Sequence, residues 1–267
     1  MSLKLGYHIS IKDGLTKTAK EIKDKKLSAV QIFPGSPKSY FPGEKHTNED
    51  FNAMKNLNIP KFVHINYFVN PAGDNAVIPK SIAENMIFCD KIGADGLVIH
   101  MGSHKKIDEG MVATVYNIKE SINKFVELTG NKPNVKILIE TTSEGGNRLK
   151  IDKILEFVEK YGKMYNVGIT YDTAHMYAAG YDVVKQIEEL HDVIDLVHLN
   201  NPSPIVEFGK HKDQHDIPLF SEEGKLTNIQ IENVINLCKL YDIPMVMENL
   251  DDEISHNLIC EKYKNHI

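Results

Sequence analysis

Histidines and carboxylates recur at the ends of apolar runs along this chain. Asp172 closes the run that begins at Val167, and His175 follows three residues later with no glycine or proline between them. A carboxylate and an imidazole at that spacing, just past a buried strand, can face one cavity and bind a divalent cation. The same pair would also suit an aspartate that caps a helix, with a satisfied histidine in the first turn. Recurrence favours the first reading. His64, His100 and Glu140 each close an apolar run, His198 lies near the end of a later one, and Glu248 near the end of the last. One histidine at a strand end is ordinarily a packed core residue, but six successive runs that each deliver a nitrogen or oxygen donor point to a shared site.

Loops add three donors: His175, and the pair in Asp213-Gln214-His215. Alone, Lys210 to Asp216 would read as a solvated polar turn. Beside the other donors it reads as a ligand pair. The set of five histidines and four carboxylates without a thiolate suits Zn2+, with Mn2+ possible, better than calcium or magnesium, which prefer oxygen shells. Nine donors exceed one tetrahedral ion; shared over three ions with one bridging carboxylate, they leave positions open for water and substrate. Such a cluster serves hydrolysis, by acidifying water and neutralising a phosphate.

The runs that must position these donors are Leu5–Ser10, Ala29–Phe33, Lys61–Asn66, Gly96–His100, Val135–Glu140, Val167–Asp172, Asp195–Asn200 and Pro244–Asn249. Between them lie helical patterns, such as Ile82-Ala83-Met86-Ile87-Cys89, Met111-Val115-Ile118-Ile122-Phe125-Val126, Ile151-Ile154-Leu155-Phe157-Val158 and Ile229-Ile231-Val234-Ile235-Leu237. Strand and helix in eightfold alternation predict an α/β fold, a (β/α)8 TIM barrel with its site at the C-terminal ends of the strands. The region of Gly35 and Gly43 is a proline-punctuated loop, and no glycine-rich dinucleotide turn follows the first strand, which disfavours an open doubly wound sheet. No linker interrupts residues 1–267, so a single domain is expected.

With 267 residues, 42% of them hydrophobic, the chain can bury a large core, and a formal charge of -6 does not advertise nucleic-acid binding by the molecule as a whole. Bound cations would offset that charge locally. Arg148 is the only arginine, so a nucleic-acid partner would be met mainly by lysine point charges and read with little regard to base sequence. Cys89, Cys238 and Cys260 are far apart and odd in number, as expected of buried thiols in a reducing, intracellular compartment. The start, Met1-Ser2-Leu3-Lys4, carries no secretion pattern, and no apolar run approaches the ~18 residues of a membrane span.

With these residues in place, the chain resembles the endonuclease IV family of apurinic/apyrimidinic endonucleases, trinuclear zinc enzymes of DNA base-excision repair. The resemblance runs from about Leu5 to Glu248 and rests on Gly6-Tyr7-His8-Ile9-Ser10, His100-Met101-Gly102-Ser103-His104, Ile139-Glu140-Thr141-Thr142, Asp172-Thr173-Ala174-His175 with Ala179-Gly180-Tyr181-Asp182, His198-Leu199-Asn200, Asp213-Gln214-His215 and Met247-Glu248-Asn249. It implies that His64, His100 and Glu140 hold one zinc, that Glu140 bridges to a second completed by Asp172, His198 and Glu248, and that His175, Asp213 and His215 hold a third. The implied reaction is attack of a metal-activated hydroxide on the phosphodiester 5′ to an abasic site in double-stranded DNA, organised by Glu140. It leaves a 3′-hydroxyl and a 5′-deoxyribose phosphate without a covalent intermediate. A monomer is the default state for an enzyme that grips a bent duplex.

The resemblance also places Tyr67, followed by Phe68, where the family wedges a tyrosine into the base stack; without it, both read equally as rim packing. Lys38 stands where relatives usually carry arginine, and lysine stacks poorly by comparison. Asn201 replaces a usual aspartate, and Asp216-Ile217-Pro218-Leu219-Phe220 replaces a usual glycine-rich loop. His8, His104 and Asn200 are expected around the ligands, and His46, His191, His211, His256 and His266 on the surface. Two rivals remain: a sugar isomerase or epimerase on the same barrel, with one or two metals, and a non-enzymatic protein stabilised by its cluster.

Overall fold

The computed structural model describes residues 2–36, 38–43, 46–145, 148 and 150–264. Eight parallel strands close on themselves in sequence order. They are β1 (Leu5–His8), β2 (Ala29–Ile32), β3 (Lys61–His64), β4 (Gly96–His100), β5 (Lys136–Glu140), β6 (Val167–Asp172), β7 (Ile194–His198) and β8 (Met245–Met247). Each falls within two residues of the run expected from the sequence. A helix follows every strand: α1 (Leu15–Asp24), α2 (Asn48–Lys55), α3 (Val77–Ile92), α4 (Ile107–Thr129), α5 (Ile151–Tyr165), the pair α6 (Thr173–Ala179) and α7 (Val183–Leu190), α8 (Asn228–Leu240) and α9 (Asp252–Lys262). The periodic residues Ile82, Ala83, Met86 and Cys89 of α3 and Ile231, Val234 and Ile235 of α8 are buried against the barrel, whereas Ile229 faces outward. No helix among the described residues is long and apolar enough to cross a membrane.

Side chains of a strand alternate between its two faces, so one parity of each strand fills the barrel interior. Ala29, Phe62, Val98, Leu138, Leu196 and Val246 form a buried apolar cluster of their own, set apart from the larger core. The residue two further along each of these strands is Gln31, His64, His100, Glu140, His198 or Glu248. The strand period therefore stacks a polar layer directly on an apolar one. Register joins the layer laterally: His100 pairs with Glu140, Asp172 with His198, and His8 with Gln31. Below the apolar layer Gly168 lies against Asp195. A Cβ at Gly168 would meet Asp195 Oδ2 at 1.7 Å, where Asp195 Oδ1 already accepts from Lys136 Nζ at 2.6 Å.

The long loop between β7 and α8 carries Asp213 and His215, and it is pinned by Asn201 and Asp216. Asn201 is fully buried; its Nδ2 donates to the Leu219 carbonyl at 2.7 Å, and its Oδ1 accepts from Leu226 N at 3.0 Å. An aspartate could not make the first of these bonds, so the amide belongs with this loop. Asp216 Oδ1 accepts from Ser203 Oγ at 2.5 Å and from Gln214 Nε2 at 3.0 Å, which ties the segment just past His215 back to the start of the same loop.

Among the histidines expected at the surface, His256 is a correction. It is buried in α9, edge-on to Tyr7 with ring centroids 5.8 Å apart. The helix turns Ser255, His256 and Ile259 inward and leaves Ile254 and Leu258 exposed, the reverse of what hydrophobicity alone suggests. His46 is half-buried against Phe51 and Phe88, and His191 stacks on Tyr241 at 3.7 Å. His211 is exposed, and His266 lies outside the described residues.

Candidate metal centre

Glu140, at the end of β5, stands at the middle of the polar layer and is fully buried. Its Oε2 faces His64 Nε2 at 3.1 Å and His100 Nε2 at 3.3 Å. Its Oε1 faces His198 Nδ1 at 3.3 Å and His175 Nδ1 at 3.4 Å. The same His198 Nδ1 also lies 3.3 Å from Glu248 Oε2 and 3.8 Å from Asp172 Oδ2. Asp172 is both things its sequence suggested, since Oδ1 caps α6 by accepting from His175 N at 2.8 Å and Oδ2 is left to the cluster. Towards the rim, Asp213 Oδ1 lies 3.1 Å from His175 Nε2 and 4.0 Å from His215 Nε2.

Three sets of donor atoms lie within 4.8 Å of one another and could each hold an ion: His64, His100 and Glu140; Glu140, Asp172, His198 and Glu248; and Asp172, His175 and His215. Glu140 belongs to the first two sets and Asp172 to the last two, so the three are joined through shared carboxylates. Asp213 falls outside these sets while lying beside His175. The rim set thus holds Asp172 with His175 and His215, where the grouping expected from the sequence was His175, Asp213 and His215.

The imidazoles are held in orientation by their second nitrogens, as metal-ligating histidines commonly are. His64 Nδ1 donates to the Ile65 carbonyl at 2.7 Å, and His175 Nδ1 to the Thr141 carbonyl at 2.8 Å, which turns Nε2 of each to the cluster. His198 is reversed: Nε2 donates to Gln31 Oε1 at 2.9 Å and Nδ1 faces inward. Gln31 Nε2 in turn donates to Glu248 Oε1 at 2.5 Å, leaving Oε2 for the cluster. One buried amide at the end of β2 thereby sets the orientation of donors from β7 and β8. Gln31 is not among the residues expected at the site from the sequence, although its place as the lone polar residue in Ala29–Phe33, on the interior parity, is a usable signal.

Of the residues expected around the ligands, His8 Nδ1 lies 3.4 Å from Glu248 Oε1. Asn200 bridges two candidate ligands, donating to Asp172 Oδ2 at 2.7 Å and accepting from Glu248 N at 2.9 Å. His104 does not join them: its Nδ1 turns to the Lys106 carbonyl of its own loop at 2.7 Å. Tyr67 is 63% and Phe68 52% exposed at the rim, with Tyr67 edge-on to Phe33 and above His64. Lys38 is exposed.

Buried carboxylates are costly unless compensated. Among the described residues, the ion pairs of Glu140, Asp172 and Glu248 are all with histidine. Burial opposes charge on His198, but Glu248, Glu140 and Asp172 outweigh it and lift its pKa to about 9. Burial likewise opposes charge on His175, which Asp172, Asp213 and Glu140 raise well above the ordinary range. Burial would raise Glu140, yet His100 and His198 hold it well below the usual carboxylate range. Protonated imidazoles thus occupy the place of cations in a donor set that divalent ions fit.

A family described as the xylose isomerase-like TIM barrel matches residues 19–248. The chain belongs to this family. Within the xylose isomerase-like barrels, it is 29% identical over 284 residues to a probable endonuclease 4 of Carboxydothermus hydrogenoformans, covering 96% of this chain and 94% of that one. A probable endonuclease 4 of Halothermothrix orenii is 27% identical over 267 residues, covering 92% and 93%. Among solved structures, endonuclease IV from Thermus thermophilus superposes with a TM-score of 0.77 at 22% identity, over 99% of this chain and 100% of that chain. A D-tagatose 3-epimerase-like protein superposes at 0.69 with 18% identity, over 98% and 97%. These structures share the fold; the resemblance to endonuclease IV read from the motifs is matched by the sequence relatives.

Two outcomes are expected of the centre. Zinc requires neutral imidazoles, so loading the metal-free protein at pH 7 should release protons into weakly buffered solution, and the share from His198 should fade as pH rises through about 9. With its pKa above the unfolded value of about 6.5, His198 lends the metal-free protein stability that is present below that value and lost through about 9. Zinc uptake without proton release would show that the imidazoles are already neutral. Replacing Gln31 with Leu should weaken the ion held by Asp172, His198 and Glu248 by ~10- to 100-fold in chelator competition, with the other ions retained. Unchanged chelator resistance would deny the amide that role.

Proposed function

We propose that this protein is a zinc-dependent apurinic/apyrimidinic endonuclease that hydrolyses the phosphodiester 5′ to an abasic site in duplex DNA, leaving a 3′-hydroxyl and a 5′-deoxyribose phosphate. The observation that carries the reading is the set of three donor groups joined through Glu140 and Asp172 at the open end of the barrel. Three divalent ions there would supply Lewis acidity, an activated water and charge neutralisation for a phosphodiester. The likeness to relatives named probable endonuclease 4 over nearly the whole chain supports the same substrate class.

The chain's own residues have separable tasks in this reading. Glu140 spans two donor groups and fixes their separation, and Asp172 does so for the second pair. Gln31 and Asn200 hold ligand orientation from outside. A cavity of about 350 Å³, walled by His8, Phe33, Tyr67 and Asp252 above the donors, offers room for a nucleotide drawn out of the helix. Tyr67 and Phe68 stand at its lip as apolar planes for the base stack, while exposed lysines, Lys38 among them, meet the backbone as point charges. A sugar isomerase on the same barrel would need one or two metals and would leave His175, Asp213 and His215 without a task.

Replacing Glu140 with Gln should lower nicking of a synthetic abasic duplex by ~10²-fold or more with the fold intact by circular dichroism; near-normal turnover would remove Glu140 from the mechanism. Zinc content and nicking by the wild-type protein, with and without chelator, test the reading as a whole. Replacing Tyr67 with Ala should weaken abasic-duplex binding by about tenfold, the worth of one stacking platform, and single-strand binding less. Equal losses on both substrates would assign Tyr67 to rim packing.

A further inference from the structure

We propose that Arg148 and the cavity beside it form a phosphate subsite, which takes a phosphodiester of the bound strand flanking the one that is cut; this rests on the reading of the protein as a DNA-cleaving enzyme. Arg148 is the only arginine among 31 basic residues, and it sits in the wall of a cavity of about 340 Å³. That cavity opens onto the candidate metal centre, sharing His100, His175 and Asp213 with it.

The guanidinium is held in place. The backbone of Arg148 forms an isolated antiparallel bridge with Ser103, and Nη1 donates to Ser143 Oγ at 2.6 Å. Ser103 is itself clasped by Asn70, whose Nδ2 donates to the Ser103 carbonyl and whose Oδ1 accepts from Ser103 N, both at 3.1 Å. Loops that follow three strands thus anchor Arg148 directly or through Ser103, while its side chain remains 41% exposed. Its nearest carboxylate, Asp213 Oδ2, lies 3.8 Å from Nη1, beyond hydrogen-bond range, while Asp213 Oδ1 is turned to His175 Nε2 at 3.1 Å. With Asp213 turned to His175, the guanidinium has no carboxylate within hydrogen-bond range among the described residues and stands beside a centre that would gain positive charge on binding cations, which favours an anion between them. A planar fork of N–H donors fits a phosphate better than any of the chain's lysines. Asp213 stands between Arg148 and His175, which sets an anion on Arg148 beside the donor groups and not among them. Read as a neighbouring phosphate, its loss should fall on substrate capture, in KM rather than kcat.

The test compares metal-loaded wild-type, Arg148→Ala and Arg148→Lys proteins binding a fluorescent duplex that carries a tetrahydrofuran abasic analogue, by anisotropy across a salt series, with metal content and steady-state nicking measured alongside. Arg148→Ala should bind about tenfold or more weakly and flatten the slope of log affinity against log salt by about 1. Arg148→Lys should restore the slope but not the affinity, because the charge returns without the fork. Unchanged affinity and slope in Arg148→Ala would overturn the proposal. So would a fall in bound metal that accounts for the lost affinity, which would make Arg148 a support for Asp213. A wild-type protein that binds the duplex in this Arg148-dependent way but does not nick it would sink the proposed activity and leave the subsite standing; no duplex binding at all would sink both.

Discussion

The arrangement depends on one carboxylate whose two oxygens serve different neighbours. Glu140 reaches His64 and His100 with one oxygen and His198 and His175 with the other, in full burial. A buried carboxylate with lysine or arginine beside it would form a closed ion pair. Surrounded by imidazoles, it instead defines two adjacent places for cations. The remaining donors arrange themselves around that division, with Asp172 extending it to the rim. The supporting hydrogen bonds from Gln31, Asn200, Ile65 and Thr141 all act to aim a donor atom, and each comes from within two residues of a strand end.

Much of this was legible in the sequence because the barrel imposes a simple rule. Strands of alternating parity end at a common rim, so a run that finishes on His, Glu or Asp announces a donor at that rim. The eight runs, their order and six strand-end donors follow from that rule alone. What the rule does not reach is tertiary. Gln31 obeys the same parity, but an amide in an apolar run carries no chemistry until its partners on two distant strands are known. Asp172 is adjacent in space to the rim histidines because α6 begins directly at β6, which draws it into the third donor set. His256 misled because α9 packs its polar edge inward under β1 and sends Ile254 and Leu258 outward, so hydrophobicity and burial are out of phase there.

Asn201 and the segment from Asp216 to Phe220 pack together. The asparagine amide donates to Leu219 within that segment, and Asp216 anchors it through Ser203. A Cβ at Gly224 would lie 2.1 Å from Asn201 Nδ2, so the loop closes tightly over this amide. Together they form one packed unit that carries Asp213 and His215 to the rim. Arg148 reaches the same rim from the β5 side, through loops fastened by Asn70 and Ser103.

The apolar layer of Phe62, Val98, Leu138, Leu196 and Val246 has a kinetic side. It plugs the barrel directly beneath the donors, so hydrated ions have no route through the far end. Cations can enter and leave only by the mouth over which a duplex would lie. Substrate lying there would act as a stopper: a sequestering agent that strips the free protein would have to wait for DNA to depart.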